Sequence, residues 1–571
     1  MRLQKHRCRF LSLSVKSIGC GRPGVSIEGK GGHAEQALKK KSESQGKLVS
    51  VTPRLSFVGV HVLAHWLDQQ HAFAPVVAQL TQAVKAYKQT HPGDDFALLQ
   101  HREQTLLRRF QALLFAPLWG LDCLSAFDTH EHPLQTLLGR DYQSATLRQF
   151  LGQLECVGAD EALLPTLVPE QVGQIISVDG HMIASWSRRS MHKGTITMLG
   201  RIMAGSHAVM AHDEAGRAVC VASHPPDIQV SRVILASCQQ VALATGRTLF
   251  VIDRAVNALA LACAFAAQGF GLLCLLDDNE HAGLESFEAT VVDTLEEGTK
   301  VSSGPWKERR PDDPRHVVIV APTEGKTLVS WGTPQGQEAL ETTAWPRVYR
   351  ERHERQERSF TRMNAHGALK TTDGRTTMLG PDRQQQRKRE KLAPSLETAH
   401  QRVDKPSAAR KVPQDKVAEA ASTGHGTRLD QRKRALVGVE KDRKDAQHTQ
   451  ATLLEHACAI GPPQERADRD FRTQTIMTMR TLLLENALMA FMGALCAHLP
   501  RKVSLDCLLR ILFARSGSRM ETVSQVVYWV NTAGVSLPYR RLLAEVVEGL
   551  CAMELRDQGK PMRVYLKDMP P

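Results

Sequence analysis

The chain lacks the cysteine and apolar patterns typical of zinc-stabilised, secreted and membrane-spanning proteins. Its 12 cysteines include no C-x-x-C pair and no Cys/His spacing suited to zinc, so we expect reduced thiols in a cytoplasmic protein. The basic start MRLQKHRCRFLSLSVK has an apolar stretch too short for a secretory signal. The most apolar late stretch, 482–499, carries Glu485 and Asn486, so we expect no membrane span.

Acidic residues are also few relative to basic ones. The 60 Asp and Glu residues stand against 73 Lys and Arg, which gives a net charge of +13 and a pI near 9.2. Such an excess favours polyanions through counterion release, and nucleic acid is the commonest partner of this kind. A basic protein without such a partner is the alternative. With 571 residues, of which 42% are hydrophobic, the chain is long enough for several folded domains.

Changes of pattern divide the chain into five predicted regions. Residues 1–50 are rich in Gly, Ser, Lys and Arg, which predicts a disordered basic tail. Helical spacing over 51–170 predicts a helical domain, and the period changes at 171, where an α/β domain extends to 365. The polar, very basic segment 366–465 predicts a helical hairpin with coiled-coil character, and 466–571 predicts a C-terminal helical domain.

The α/β region has a definite predicted order of elements. Three consecutive strands between 174 and 224 predict an antiparallel meander. The β-α-β-α-β order that follows, up to 276, implies parallel pairing with right-handed crossovers. A β-rich insertion at about 287–345 then precedes a helix from about 347 to 364. The predicted fold class is therefore α/β, with a mixed sheet at its core.

Three carboxylates occur in settings that suit a two-metal nuclease. Asp179 follows the apolar run IISV, Asp253 follows TLFVI, and Glu357 lies in the charged helix YRERHERQERSF. The two strands are predicted neighbours, so both aspartates reach one point, and the helix after the insertion brings the glutamate. Carboxylates suit Mg²⁺, which prefers hard oxygen ligands, and two such ions are sufficient for phosphodiester cleavage.

Each of these residues also has an ordinary structural interpretation. An aspartate at a strand end usually caps a turn, and Asp277 and Asp278 after FGLLCLL fit that role better than metal binding. Glu351 and Glu354 share the helix of Glu357 at three-residue steps, as on a solvated helix face. His181 either orients a water molecule or is a polar residue satisfied at a strand end.

The order of elements, the DGH and DRA aspartates, the insertion and the YRERHERQERSF helix resemble DDE transposases of bacterial insertion sequences over about 130–365. The resemblance implies an RNase H-like core whose Asp179, Asp253 and Glu357 hold two Mg²⁺ or Mn²⁺ ions. It also implies N-terminal helices that recognise transposon ends, strand transfer to target double-stranded DNA, and a homodimer formed through C-terminal helices. We therefore expect a nucleoid-associated bacterial protein.

The late helix matches the signature Tyr-x2-Arg-x3-Glu-x6-Lys of these transposases only in part. Tyr349 and Arg352 match, and the resemblance implies that they contact DNA. The signature places its glutamate at Gln356, one position before Glu357, and the lysine counted from Glu357 falls on Asn364. Either the signature is locally altered or this copy is impaired.

Arg254 and Ala255, the two residues after Asp253, also bear on the resemblance to transposases. Arg254 would face the substrate phosphate in the functional interpretation, and would form an ordinary ion pair otherwise. Ala255 stands where many relatives have glycine. The sequence thus favours a DNA transposase and leaves two alternatives open. One is a catalytically inactive, transposase-derived DNA-binding protein, and the other is a coiled-coil scaffold based on the basic helices.

Overall fold

The computed structural model describes most of the chain in thirteen segments. They are residues 48–93, 103–128, 134–185, 191–196, 200–253, 259–276, 290–294, 298–305, 314–321, 327–369, 377–422, 426–469 and 471–568. Nearly all of the predicted basic tail, together with Arg254, Ala255, Asp277 and Asp278, lies outside these residues.

The N-terminal region consists of one strand followed by helices. They are β1 (Leu48–Leu55), α1 (Val58–Gln69), α2 (Ala74–Thr90), α3 (Glu103–Phe115), α4 (Leu134–Leu138), α5 (Ser144–Cys156), α6 (Ala159–Ala162) and α7 (Leu164–Leu167). The helices lie where apolar spacing predicts them. In α5, for example, Leu147, Phe150, Leu151 and Leu154 recur at three- and four-residue steps and are buried.

A large mixed sheet lies at the centre of the molecule. Its first strands are β2 (Ile175–Ala184), β3 (Lys193–Ile196), β4 (Arg201–Asp213), β5 (Ala218–His224), β6 (Leu249–Ile252) and β7 (Gly271–Leu275). β2, β4 and β5 form the predicted antiparallel meander, whereas β2, β6 and β7 pair in parallel. Helices α8 (Val230–Thr245) and α9 (Leu259–Ala267) connect β5 to β6 and β6 to β7. The fold is therefore mixed α/β, with the strand order β5-β4-β2-β6-β7.

The β-rich insertion extends this sheet and does not form a separate layer. Its strands are β8 (Thr290–Thr294), β9 (Lys300–Pro305), β10 (His316–Ala321) and β11 (Leu328–Gly332). β11 pairs antiparallel with β7, and β10, β9 and β8 follow towards the edge. The short helix α10 (Pro334–Ala339) follows and packs on β7. Just before this helix, the Thr333 hydroxyl donates to the carbonyl of Phe270, the residue before β7, at 2.9 Å.

Helix α11 (Trp345–His366) crosses one face of the sheet. Pro346 stands in its first turn, where a missing backbone N–H leaves no helical hydrogen bond unmade. Although the helix is rich in charge, one of its faces is buried. That face contains Trp345, Arg352, Gln356, Ser359, Phe360 and Met363. The spacing of these residues sets the rotation of the helix and so decides which of its charged side chains face the sheet.

The basic segment forms the predicted helical hairpin. Its helices are α12 (Arg383–Ser422) and α13 (Gly426–Ile460). Strands β12 (Thr377–Pro381) and β13 (Glu465–Arg469) flank them and pair with each other in an antiparallel sense. The two ends of the hairpin are therefore held together beside the main sheet.

The C-terminal region is not wholly helical, so that prediction was wrong. It contains α14 (Phe471–Cys496), α15 (Leu505–Leu508), β14 (Gly517–Thr522), β15 (Val526–Asn531), α16 (Leu537–Ala552), β16 (Arg556–Asp557) and β17 (Lys560–Lys567). The strands and β1 form a sheet in the order β1-β14-β15-β17-β16. The run VVYWVN is rich in β-branched and aromatic residues, which favour strands, and the pairing partner β1 is supplied from the other end of the chain.

Helix α14 is long and apolar enough, by length and composition, to cross a membrane. More than half of its apolar window is buried inside the protein. Its polar residues also have protein partners: the Asn486 side chain donates to the carbonyls of Leu167 and Ala218 and accepts from the Ala218 amide. These contacts are those of a core helix that joins the helical regions to the sheet.

We expect Arg362→Ala to lower the free energy of unfolding by about 3–5 kcal/mol, because it leaves the charge of Glu485 buried and unpaired. Arg362 Nη2 lies 2.6 Å from Glu485 Oε1, and the carboxylate side chain is only 4% exposed. Urea denaturation measures the change. Arg358→Ala is the control, since Arg358 pairs with Glu354 at 3.8 Å in solvent and should cost less than about 1 kcal/mol. Equal losses would contradict the prediction.

Candidate active site

Asp179 and Asp253 stand side by side at the carboxyl end of β6. The parallel pairing of β2 with β6 ends at Val178 and Ile252, and the two aspartates are the next residues. Neighbouring strands lie about 4.8 Å apart, so both side chains start from the same point of the sheet. They line one cleft of about 540 Å³.

Gly180, which follows Asp179, has neighbours that lie too close for any residue with a Cβ atom. A Cβ atom at Gly180 would lie 2.3 Å from His207 Nε2 and 2.8 Å from a methyl carbon of Val230. Glycine therefore lets β4 and α8 approach the strand, and its amide donates to Asp179 Oδ1 at 2.7 Å. The Asp-Gly pair in the sequence thus reflects both packing and the orientation of the carboxylate.

Helix α11 places two donors over the aspartates. The Tyr349 hydroxyl donates to Asp253 Oδ1 at 2.8 Å, and Arg352 Nη2 lies 3.4 Å from Asp179 Oδ2. Arg352 Nη1 also donates to the Tyr349 hydroxyl at 3.4 Å, and its guanidinium lies 5.5 Å from the centre of that ring. The two residues that match the signature therefore contact both aspartates directly.

The electrostatics of the pair depend mainly on burial. Burial raises the pKa of Asp179 to about 6, while the Arg352 charge and the Gly180 amide lower it and the charges of Asp253 and Glu357 raise it. Burial and the neighbouring Asp253 charge also raise the pKa of Tyr349 above its usual range, so its hydroxyl remains a donor. Asp179 keeps 26% of its side chain exposed and is accessible from the cleft.

Asp179→Asn should stabilise the metal-free protein at pH 8 and change its stability little at pH 4. The folded-state pKa of about 6 exceeds the ordinary value of 3.8, so the folded protein retains a proton that the unfolded chain releases between these values. The free energy of unfolding of the unaltered protein therefore falls by up to about 3 kcal/mol as the pH rises through this window. Asparagine does not ionise, so the variant should not show this fall. Thermal unfolding in EDTA from pH 4 to 8 tests this, and a pH-independent difference would contradict it.

The proposed third carboxylate, Glu357, is on the exposed side of α11. Its charge is the smallest of the named causes of the raised pKa of Asp179, so Glu357 lies within electrostatic range of that carboxylate. Gln356 occupies the buried position instead, with its side-chain nitrogen 3.3 Å from His212 Nδ1 on β4. The structure therefore places Gln356, at the position of the signature glutamate, against the sheet, and Glu357, the next residue, on the exposed side of the helix.

The other two candidate glutamates of α11, Glu351 and Glu354, form ion pairs with arginines at the surface. Glu351 pairs with Arg355 at 3.2 Å, and Glu354 pairs with Arg358 at 3.8 Å. Among the residues that the structure describes, no three His, Cys, Asp or Glu side chains converge closely enough to hold a metal ion. Two aspartates thus provide a carboxylate pair with the hard oxygen donors that Mg²⁺ prefers, and a third ligand requires a change of side-chain position.

His181, the remaining candidate from the sequence, lies in a packed environment. The His181 ring is buried and stacks on Phe360 with ring centres 5.3 Å apart, which suits a packing role. Sequence reasoning missed the other wall of the cleft, where Lys193, Asp227 and Arg387 lie. No local motif marks these residues, because they come from a strand, a loop and the hairpin, far apart in the chain.

Comparison with known proteins identifies no family. No protein-family model matches the chain, and no curated protein matches it. Among solved structures, the chain is similar to a piggyBac transposase in a synaptic complex with hairpin DNA, with 9% identity and a TM-score of 0.31 over 55% of this chain and 71% of that chain. At this level the similarity supports no conclusion about fold or activity.

Proposed function

We propose that this chain is a DNA transposase that cleaves phosphodiester bonds at transposon ends and transfers the strands to target DNA. The observation that carries the proposal is that Asp179 and Asp253 directly follow Val178 and Ile252, the last paired residues of β2 and β6, and line one cleft. The strand order β5-β4-β2-β6-β7, with an antiparallel meander followed by parallel strands, supports an RNase H-like core. Site and topology together favour this chemistry over a scaffold function.

The proposed roles follow from the contacts of each residue. Asp179, Asp253 and Glu357 would hold two Mg²⁺ or Mn²⁺ ions, which supply an activated nucleophile and neutralise charge on the leaving oxygen. Arg352 and Tyr349 position the two aspartates. Both are also donors suited to phosphate oxygens, and a guanidinium binds such oxygens in pairs.

The basic charge of the chain supports double-stranded DNA as the partner. The net charge of +13 favours release of counterions from a nucleic acid backbone. Under this proposal the N-terminal helices recognise transposon ends, and the C-terminal region forms a homodimer on DNA. Both assignments rest on the resemblance described above.

A second candidate function is DNA binding by a catalytically inactive, transposase-derived protein. Gln356 favours it, because this neutral side chain is buried at the signature position and contacts His212. Glutamine lacks the negative charge of the glutamate that the signature has at this position. The two candidates share DNA binding and differ only in cleavage.

The test is a nicking assay on supercoiled plasmid that carries the DNA flanking the gene, in Mg²⁺, Mn²⁺ or EDTA. The transposase proposal expects nicked circles with either metal and none in EDTA. Binding of the same DNA without cleavage in any metal would support the inactive protein. Absence of both binding and cleavage would contradict both candidates and leave the scaffold.

A further inference from the structure

The cleft that contains Asp179 and Asp253 is bordered by the first turns of α12. Gln384 and Arg387 line it, together with Lys193 and Gly194 of β3. Gln384 also joins the two walls, since its side-chain nitrogen donates to the Lys193 carbonyl at 3.1 Å. The hairpin therefore begins at the mouth of the candidate active site.

Buried ion pairs fix this end of the hairpin to the sheet. Asp227, whose side chain is 3% exposed, accepts from Arg383 Nη2 at 3.0 Å and lies 3.1 Å from Arg387 Nη2. A second pair joins Asp382 to Arg466 where β12 and β13 meet. These contacts set the direction of α12 relative to the cleft, and the single charge of Asp227 offsets only one of the two charges of Arg383 and Arg387.

The basic residues next to these pairs form an exposed rim. Lys388 and Lys391 follow Gln384 at four and seven residues, so all three share one face of α12. The side chains of Lys388 and Lys391 are exposed, as is that of Lys193 across the cleft. We call Lys193, Lys388 and Lys391 the cleft rim.

We infer that the cleft rim binds the phosphate backbone of duplex DNA and leads it to the two aspartates, an inference that rests on the proposed function. The rim supplies positive charge beside a pair of carboxylates that would otherwise repel a phosphodiester. The rest of the hairpin strengthens the field, because α12 and α13 hold 17 Lys and Arg residues against 10 Asp and Glu. The hairpin thus attracts DNA at long range, and the cleft rim is the part that contacts phosphates.

The test measures how salt weakens binding of a 30-base-pair duplex by the full chain, in EDTA so that no cleavage occurs. Lys193→Ala, Lys388→Ala and Lys391→Ala are combined in one variant. If each lysine contacts one phosphate, the slope of log affinity against log salt becomes shallower by about 2.7. Between 50 and 200 mM salt, the variant should then lose about 40-fold less affinity than the unaltered chain.

The matched control combines Lys433→Ala, Lys441→Ala and Lys444→Ala, which removes the same charge from exposed positions of α13. Its slope should stay close to that of the unaltered protein. Equal slopes for the two variants would overturn the inference, because they would show that only total charge matters. The result does not depend on cleavage, so it remains distinct from failure of the transposase proposal. Circular dichroism and thermal unfolding confirm that both variants are folded.

Discussion

Under the proposed function, we expect asparagine in place of Asp179 or Asp253 to lower the rate of Mg²⁺-dependent nicking by about 10³-fold or more, while duplex binding in EDTA stays within a few-fold. Asparagine keeps the shape of the side chain and removes its negative charge. Loss of one electrostatic group in an active site typically costs 10²–10³ in rate. A carboxylate that also holds a metal should cost at least as much.

Single-turnover nicking by each variant measures this loss. The double variant should be at most a few-fold slower than the slower single variant, because the effects of replacing residues that act as one unit are not additive. Asp293→Asn is the matched control, since Asp293 lies in β8 of the same sheet and is exposed, away from the cleft. Retention of a tenth of the activity by either variant would exclude that aspartate as a metal ligand.

The two aspartates were predictable because their apolar runs are plain in the sequence, although Asp179 lies within β2 and not at its end. Apolar runs end at Asp179 and Asp253. The β-α-β order links β6 to β5, and the pairing of β6 with β2 is a tertiary feature of the sheet. Tyr349 and Arg352 were predictable only from the resemblance. Their contacts with Asp253 and Asp179 depend on how α11 rotates on the sheet, which charge patterning alone does not determine.

Contacts between distant segments account for most of what the sequence did not predict. The C-terminal strands need β1 as a partner, and Leu48 pairs with Thr522 across almost the whole chain. The anchor of the hairpin joins Asp227 to Arg383, two residues that no local pattern connects. Propensity describes short segments, whereas these features depend on tertiary pairing and burial.

The rotation of α11 also decides which side chain completes the acidic site. Buried residues fix the helix so that Gln356 faces His212 and Glu357 is exposed. The charge of Glu357 contributes to the raised pKa of Asp179, whereas the carboxylates of Glu351 and Glu354 pair with Arg355 and Arg358.

Replacing the glutamates of α11 one at a time by glutamine should therefore single out Glu357. We expect Glu357→Gln to lower Mg²⁺-dependent nicking by about 10²-fold or more at unchanged DNA affinity. Glu351→Gln and Glu354→Gln are the matched controls and should stay within a few-fold, because their carboxylates pair with arginines in solvent. Normal cleavage by Glu357→Gln together with loss in Glu354→Gln would show that the register assigned to the helix is wrong.

Gln356→Glu completes the experiment, because it places a carboxylate at the signature position. If Glu357 is the ligand, this variant gains no activity and loses stability, since the new charge is buried beside His212. If the unaltered chain binds DNA without cleaving it and Gln356→Glu restores metal-dependent nicking, the chain is an inactive transposase whose site lacks one charge. Nicking rates and urea denaturation of the same four variants distinguish these outcomes, because a ligand changes the rate and a packing residue changes the stability.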